Sequence, residues 1–293
     1  MISASFLVLP LALLALPLAA QTPFAWKDTG GGQLELRENG RPVLVYNYGP
    51  QWRNGAPENQ RRCCYIYPLF SPAGVSLLED FPPNEFHHRG MYWAWEDIET
   101  GGRQFDLWKA LTVGVRGASA PVVSVSSAQA RLTVSNVWEA GGHDIVREQT
   151  ELTIFPAHDA AREVRVAVAL EAIGAPVTLR AALDQKKSFG GLNVHFSTAD
   201  HFTLRADGQT LAKDEDLNRH EWLEVEGDWA GKRVVTRITP DPQNPGLPYQ
   251  WTVRTRGFVG ASFPGRTESG DAVTLVAGKP VHLAFVIRTA DVR

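Results

Sequence analysis

Between Phe81 and Trp108 the chain reads FPPNEFHHRGMYWAWEDIETGGRQFDLW, which sets His87, His88 and Arg89 close to Trp93, Trp95, Glu96, Asp106 and Trp108. Imidazole titrates near neutral pH, so a histidine pair beside carboxylates supplies the groups that proton transfer needs. Arg89 adds a planar fork of donors for an anionic or hydroxyl-bearing group. Indole faces suit sugar rings, whose axial C–H groups pack on the π surface while the hydroxyls seek charged and amide partners. The candidate catalytic residues are therefore His87, His88, Arg89 and Asp106, joined from a distance by His195 in the reading LNVHF. Either histidine of the pair would act as acid or base, and Arg89 and Asp106 would position hydroxyls or a carbonyl. Candidate substrate contacts are Trp93, Trp95, Glu96, Trp108, Lys187, Asn193 and Trp251. Trp93 and Trp95 stand two apart on a predicted strand and so share one face, where they form either a ligand platform or part of the core.

Other chemistries lack their spacing. The histidine pair has no third and fourth metal ligand at a diagnostic interval, so the sequence allows a divalent metal without requiring one. Lys186-Lys187-Ser188-Phe189-Gly190-Gly191 has the composition of a phosphate loop but not its ordered glycines, and no helix follows it. No Gly-x-Ser-x-Gly elbow is present, so nothing points to a serine hydrolase. His143, His158, His201, His220 and His282 stand in no such context and default to surface or core roles.

The elements that must position these groups are strands. Alternating β-branched and aromatic residues recur along the chain between Gly, Asn, Asp and Pro punctuation, as in Val164, Val166, Val168 and Leu170. Gln33 to Arg37 and Val43 to Tyr48 flank Asn39-Gly40, a hairpin signal. More than a dozen such stretches without amphipathic helices between them predict an all-β fold, a large antiparallel β-sandwich. No repeat period or low-complexity linker divides it, so residues 21–293 read as one domain. Gly49 to Gln60 and Pro240 to Tyr249 are expected as long surface loops, a class often functional.

The chain of 293 residues is 44% hydrophobic and carries a formal net charge of -3. That supports a sizeable core, and the dispersed Lys and Arg residues give no footprint for nucleic acid. Residues 1–20 read as a cleavable signal peptide: Phe6 to Leu18 is an apolar run, Ala19-Ala20 a small-residue cleavage site, and Lys27 the first charged side chain. The expected location is periplasmic or secreted, with no stable membrane insertion after cleavage. The two cysteines, Cys63 and Cys64, are adjacent, so no disulfide framework is expected; a bridge between neighbours lies outside the usual geometry, and both read as small buried residues.

Four phrases carry a resemblance: RCCYIYPLFSPAGVSLLEDFPPNEFHHRGMYWAW (Arg62 to Trp95), DLW (Asp106 to Trp108), KSFGGLNVHF (Lys187 to Phe196) and NPGLPYQW (Asn244 to Trp251). Together they resemble the exported bacterial family known as "methane oxygenase PmoA". The resemblance implies a β-sandwich of the sugar-binding, galactose mutarotase-like kind, often encoded near sugar oxidoreductases. Two positions depart from the family pattern. Asn84-Glu85-Phe86 stands where a histidine commonly precedes the pair, and His195 where an arginine often follows the glycines.

The leading expectation is an exported carbohydrate-active enzyme using histidine acid–base chemistry on a sugar or oxidised (keto) sugar, by elimination, hydrolysis or epimerisation. A non-catalytic glycan-binding module would use the same aromatics. The family name's metal-dependent oxidase would need a metal site the spacing does not assemble. Export is directly testable: the mature chain is expected to begin near Gln21 in the soluble periplasmic or secreted fraction, and an intact mass that retains residues 1–20, with the protein in the membrane fraction, would make that segment an anchor.

Overall fold

The computed structural model describes residues 22–83, 85–184, 186–266 and 272–292. The expected signal segment and Asn84 lie outside the described residues. Among the described residues no helix is long and apolar enough to cross a membrane. The architecture is a large antiparallel β-sandwich.

One sheet has nine strands. In spatial order they are Phe24–Gly30, Gln33–Glu38, Arg41–Asn47, Tyr65–Leu69, Met91–Ala94, Gly191–His195, Phe258–Ser262, Tyr249–Arg254 and Arg219–His220. The facing sheet has ten, with Lys232–Pro240, Val281–Asp291, Ala161–Ala172, His143–Ile154 and Ala130–Ala140 as its long central strands. A third, four-stranded sheet pairs Ala272–Leu275, Val177–Arg180, Asp97–Thr100 and Arg103–Phe105. The hairpin at Asn39-Gly40 forms as predicted, with φ of 49° and 79° at its two turn residues, the positive pair that a two-residue hairpin favours.

Alternation decides which side chains make the core. Met91, Trp93, Leu192, Val194, Trp251, Val253, Val259 and Ala261 all point from the nine-stranded sheet toward the ten-stranded one. Trp93 and Trp95 stack at 6.4 Å and 6°, and across the interface Trp95 meets Trp138 at 5.4 Å while Trp93 meets Phe285 at 5.9 Å. The Trp95 Nε1–H donates to the Phe263 carbonyl at 2.7 Å, and that of Trp251 to the His220 carbonyl at 3.0 Å. All three indoles are buried, two of them with the ring N–H bonded inside the sandwich, so of the two readings of Trp93 and Trp95 the core one holds, and Trp251, a candidate substrate contact, is core as well. A carboxylate in this layer is satisfied: Glu148 accepts from Asn136 Nδ2, Trp138 Nε1 and Thr150 Oγ1 at 2.7–2.9 Å.

Cys63 and Cys64 are also buried, but their sulfurs are paired with each other. The neighbouring strand, Tyr65–Leu69, begins only after the pair, and Cys64 sits in the bend before it with φ of 69°. Outside a strand, neighbours are not forced to opposite faces.

Removing one of the large indoles of the inter-sheet layer measures what it contributes. Trp95→Ala should destabilise the fold by about 3 to 5 kcal/mol, read as a fall in the urea midpoint. A midpoint within error of the unmodified chain would place Trp95 outside the core.

Candidate active site

The outward face of the nine-stranded sheet carries what the inward face does not. Tyr65, Tyr92, Ala94, Trp108, Ala182, Phe189 and Phe258 form a second, smaller buried cluster there. Beside it opens a cleft of about 550 Å³ whose walls include His87, His88 and His195. Trp108 and Phe189 stack at 4.4 Å and 29°, and Phe258 stacks on His88 at 4.4 Å and 18°. His88 lies 4.3 Å from His87 and 5.1 Å from His195, centroid to centroid. The three histidines singled out in the sequence thus meet in one place. Glu96, Trp108 and Lys187 line the same cleft.

Local geometry explains how the pair is presented. Glu85 N–H donates to the Pro82 carbonyl and His88 N–H to the Glu85 carbonyl, folding the segment into tight turns. Gly90 then enters the strand where a Cβ would lie 2.3 Å from the Ile66 carbonyl oxygen, so only glycine passes. Opposite it, His195 N–H donates to the Gly90 carbonyl at 2.8 Å, which sets the distant histidine in register with the pair. His195 Nε2 is 4.0 Å from the Glu79 carboxylate, whose own N–H donates to the His195 carbonyl at 2.9 Å.

Three predicted site residues do other work. Arg89 is fully buried: its guanidinium donates to the carbonyls of Phe86, His88 and Gln60 and lies 3.6 Å over the Phe81 ring. It fixes the histidine loop and has no free face for substrate. Asp106 accepts from the Lys109 N–H at 2.9 Å, closing the turn that delivers Trp108 and Lys109 to the cleft. Asn193 is buried under the sheet, with Nδ2 donating to the Gly191 carbonyl at 2.9 Å and Oδ1 against Gly260. None of the three lines the cleft.

Burial governs the electrostatics. Desolvation holds the imidazoles far below their ordinary pKa, at about 4 for His87 and His195 and about 2 for His88, with neighbouring cations, Lys109 first, adding to the effect at His87. All three are neutral at pH 7. The Nδ1 atoms of His88 and His195 are buried without hydrogen-bond partners. Glu85, His87 and His88 each bring a ligand atom within 4.8 Å of the others, a set able to hold a metal ion.

The family now follows from the chain as a whole. A profile described as "Family of unknown function (DUF6807)" matches residues 33–293. The chain belongs to the DUF6807 family. No curated protein matches it. Among solved structures this DUF6807 chain is similar to 4-alpha-glucanotransferase from Thermococcus litoralis at TM-score 0.38 and 12% identity, over 93% of the chain but only 40% of the glucanotransferase. It is also similar to the GalM/aldose epimerase homologue from C. elegans at TM-score 0.36 and 7% identity, over 93% of the chain and 100% of the homologue. Likenesses of this degree bear on neither activity nor substrate.

Several cleft residues escaped the sequence reading. Thr252, Arg254 and Phe258 reach the site from the outward face of the Tyr249–Arg254 and Phe258–Ser262 hairpin, and Phe189 from the glycine-rich segment. Alternation with the core residues Trp251 and Val253 was the available signal for the first two. For Phe258 the signal was Gly257, whose φ of 111° makes the hairpin turn.

Just upstream of the loop, Asp80 is buried. It accepts from the Tyr65 hydroxyl at 2.9 Å and lies 3.6 Å from Arg53 Nε. Desolvation outweighs these partners and raises its pKa from 3.8 to about 6. An acid whose pKa is raised on folding stabilises the native state below its ordinary pKa, and that stability is lost as pH rises through the folded value. Between pH 4 and 7 the unmodified chain should therefore lose up to about 3 kcal/mol relative to Asp80→Asn, whose amide oxygen still accepts from Tyr65. Urea midpoints of both proteins across that range check it; parallel curves would mean that Asp80 ionises freely.

Proposed function

We propose that this chain is an exported carbohydrate-active enzyme that moves a proton on a sugar or an oxidised (keto) sugar, in an elimination, hydrolysis or epimerisation. The observation that supports it is the convergence of His87, His88 and His195 on one wall of an aromatic cleft. A sugar face can stack against Trp108 and Phe189, and its hydroxyls then meet Glu96, Lys187, Thr252 and Arg254 on the surrounding walls. A neutral imidazole such as that of His195 has a ring nitrogen able to accept a proton, and a carbonyl in an oxidised sugar makes the neighbouring C–H the proton to be moved. His195 is the member held on the sheet itself, with a carboxylate behind it.

A glycan-binding module would need the aromatic faces and the hydroxyl partners alone. Three imidazoles taken out of water on the same wall cost stability that such a module has no use for, which favours the enzyme.

Incubation with a panel of glycosides and 3-keto-glycosides, read by mass spectrometry, should reveal one converted class. On that substrate His195→Ala should lower turnover by at least about 10²-fold, and Trp108→Ala should mainly raise KM. Melting temperatures on the same samples separate chemistry from folding. Full turnover by folded His195→Ala would remove His195 from the reaction, and sugar binding with no conversion of any panel member would leave the binding module.

A further inference from the structure

We infer that Glu85, His87 and His88 form a binding site for a first-row divalent cation such as Zn²⁺ or Co²⁺. Sequence spacing did not single out Glu85, because in a Pro-containing loop neither strand nor helix parity relates a carboxylate to the histidines two and three positions after it. The turns from Pro82 to His88 create the relation, bringing the ligand atoms of all three side chains within 4.8 Å of one another at the mouth of the cleft.

The spacing is that of ligands around an ion rather than of groups bonded to each other. His87 Nε2 and Glu85 Oε2 are 3.5 Å apart, beyond a good N–H···O hydrogen bond. Two atoms each about 2.1 Å from a shared ion stand about 3.4 Å apart at the tetrahedral angle. The remaining closure is available, since the Glu85 side chain is half exposed and free to swing. Two imidazoles and one carboxylate make a mixed nitrogen and oxygen set, which suits zinc, cobalt and manganese better than calcium or magnesium. Three protein ligands leave a coordination position open, the arrangement of sites that also bind substrate.

The surroundings both oppose and assist. Lys109 lies on the same rim, and its charge works against a bound cation. Glu85 offsets that charge, Arg89 and Arg62 are turned inward onto backbone carbonyls, and Arg254 across the cleft is paired with Asp216. The open side faces the cleft, where adjacent sugar oxygens could complete the coordination. To that extent the inference deepens the carbohydrate reading and rests on it, and it assigns proton transfer to His195 while His87 and His88 hold the ion.

The test contains no sugar, so the two readings fail separately. Full-length mature protein, freed of metal by chelator dialysis, is titrated with Co²⁺ and Zn²⁺ by calorimetry, and the Co²⁺ complex is followed by its visible absorption. One equivalent should bind, and Glu85→Gln and His87→Ala should each weaken binding at least 10-fold. His158→Ala, which removes the exposed His158–Asp159 pair on the far loop, should leave it unchanged. Melting curves accompany each variant, and Glu85→Gln, on a half-exposed side chain, carries the test if a histidine variant does not fold. No saturation below about 1 mM, undiminished binding in folded Glu85→Gln, or loss of binding in His158→Ala would each overturn the site. A chain that takes one ion and converts no glycoside would keep this inference and lose the catalytic one; conversion unaffected by chelator, with no ion bound, would do the reverse.

Discussion

A side chain on a β-strand must face one way or the other, and at the centre of the nine-stranded sheet both directions are occupied by aromatic rings. Inward lie Trp93, Trp95 and Trp251 against the second sheet; outward lie Tyr92, Phe258 and, from the adjoining segments, Trp108 and Phe189. The site therefore sits on the reverse of the protein's own core. Every strand that contributes a cleft residue also contributes to the inter-sheet layer, so the positions of His195, Thr252 and Phe258 are fixed by packing they do not take part in.

Buried arginines solve the remaining problem, which is how irregular backbone is held over that surface. Arg89 gathers the carbonyls of Phe86, His88 and Gln60, and Arg62 gathers those of Leu107 and Trp93. Each guanidinium can satisfy several orphan acceptors at once, which one lysine could not do with the same planarity. Desolvation lowers the pKa of both, that of Arg62 to about 10, yet both remain charged at neutral pH and keep all their donors. Around them the loop Gly49 to Gln60 acts as a buttress, with Asn54 donating to the Asp80 and Phe81 carbonyls and Gln60 accepting from Arg89.

The strands were legible because their alternation is local, and the sandwich followed from their number. His87, His88 and Trp108 were legible as a cluster because they are near in sequence, and His195 because it stood in a glycine-rich context. What local pattern does not carry is the direction of a side chain that could face either way. Trp93 and Trp95 share a face by parity alone, and parity does not say whether that face is core or cleft. Arg89 was misread for a related reason: a charge in a loop is normally solvated, and only the fold shows that carbonyls surround it. Glu85 and the Thr252 to Phe258 hairpin were missed because their relation to the histidines is made by a turn in one case and by a pairing across the sheet in the other.

Two of the walls of the cleft come from separate stretches of chain. One is the loop from Pro82 to Gly90, pinned where the backbone of Gly90 presses on the Ile66 carbonyl. The other is the hairpin of Tyr249–Arg254 and Phe258–Ser262, in which cleft residues alternate with core residues. Along that hairpin Thr252, Arg254 and Phe258 face the cleft while Trp251, Val253, Val259 and Ala261 face the core. Changes at Thr252 or Arg254 would reshape the cleft while Trp251 and Val253 stay as they are, so that its lining can drift among descendants whose histidine wall and stability remain those of their common ancestor.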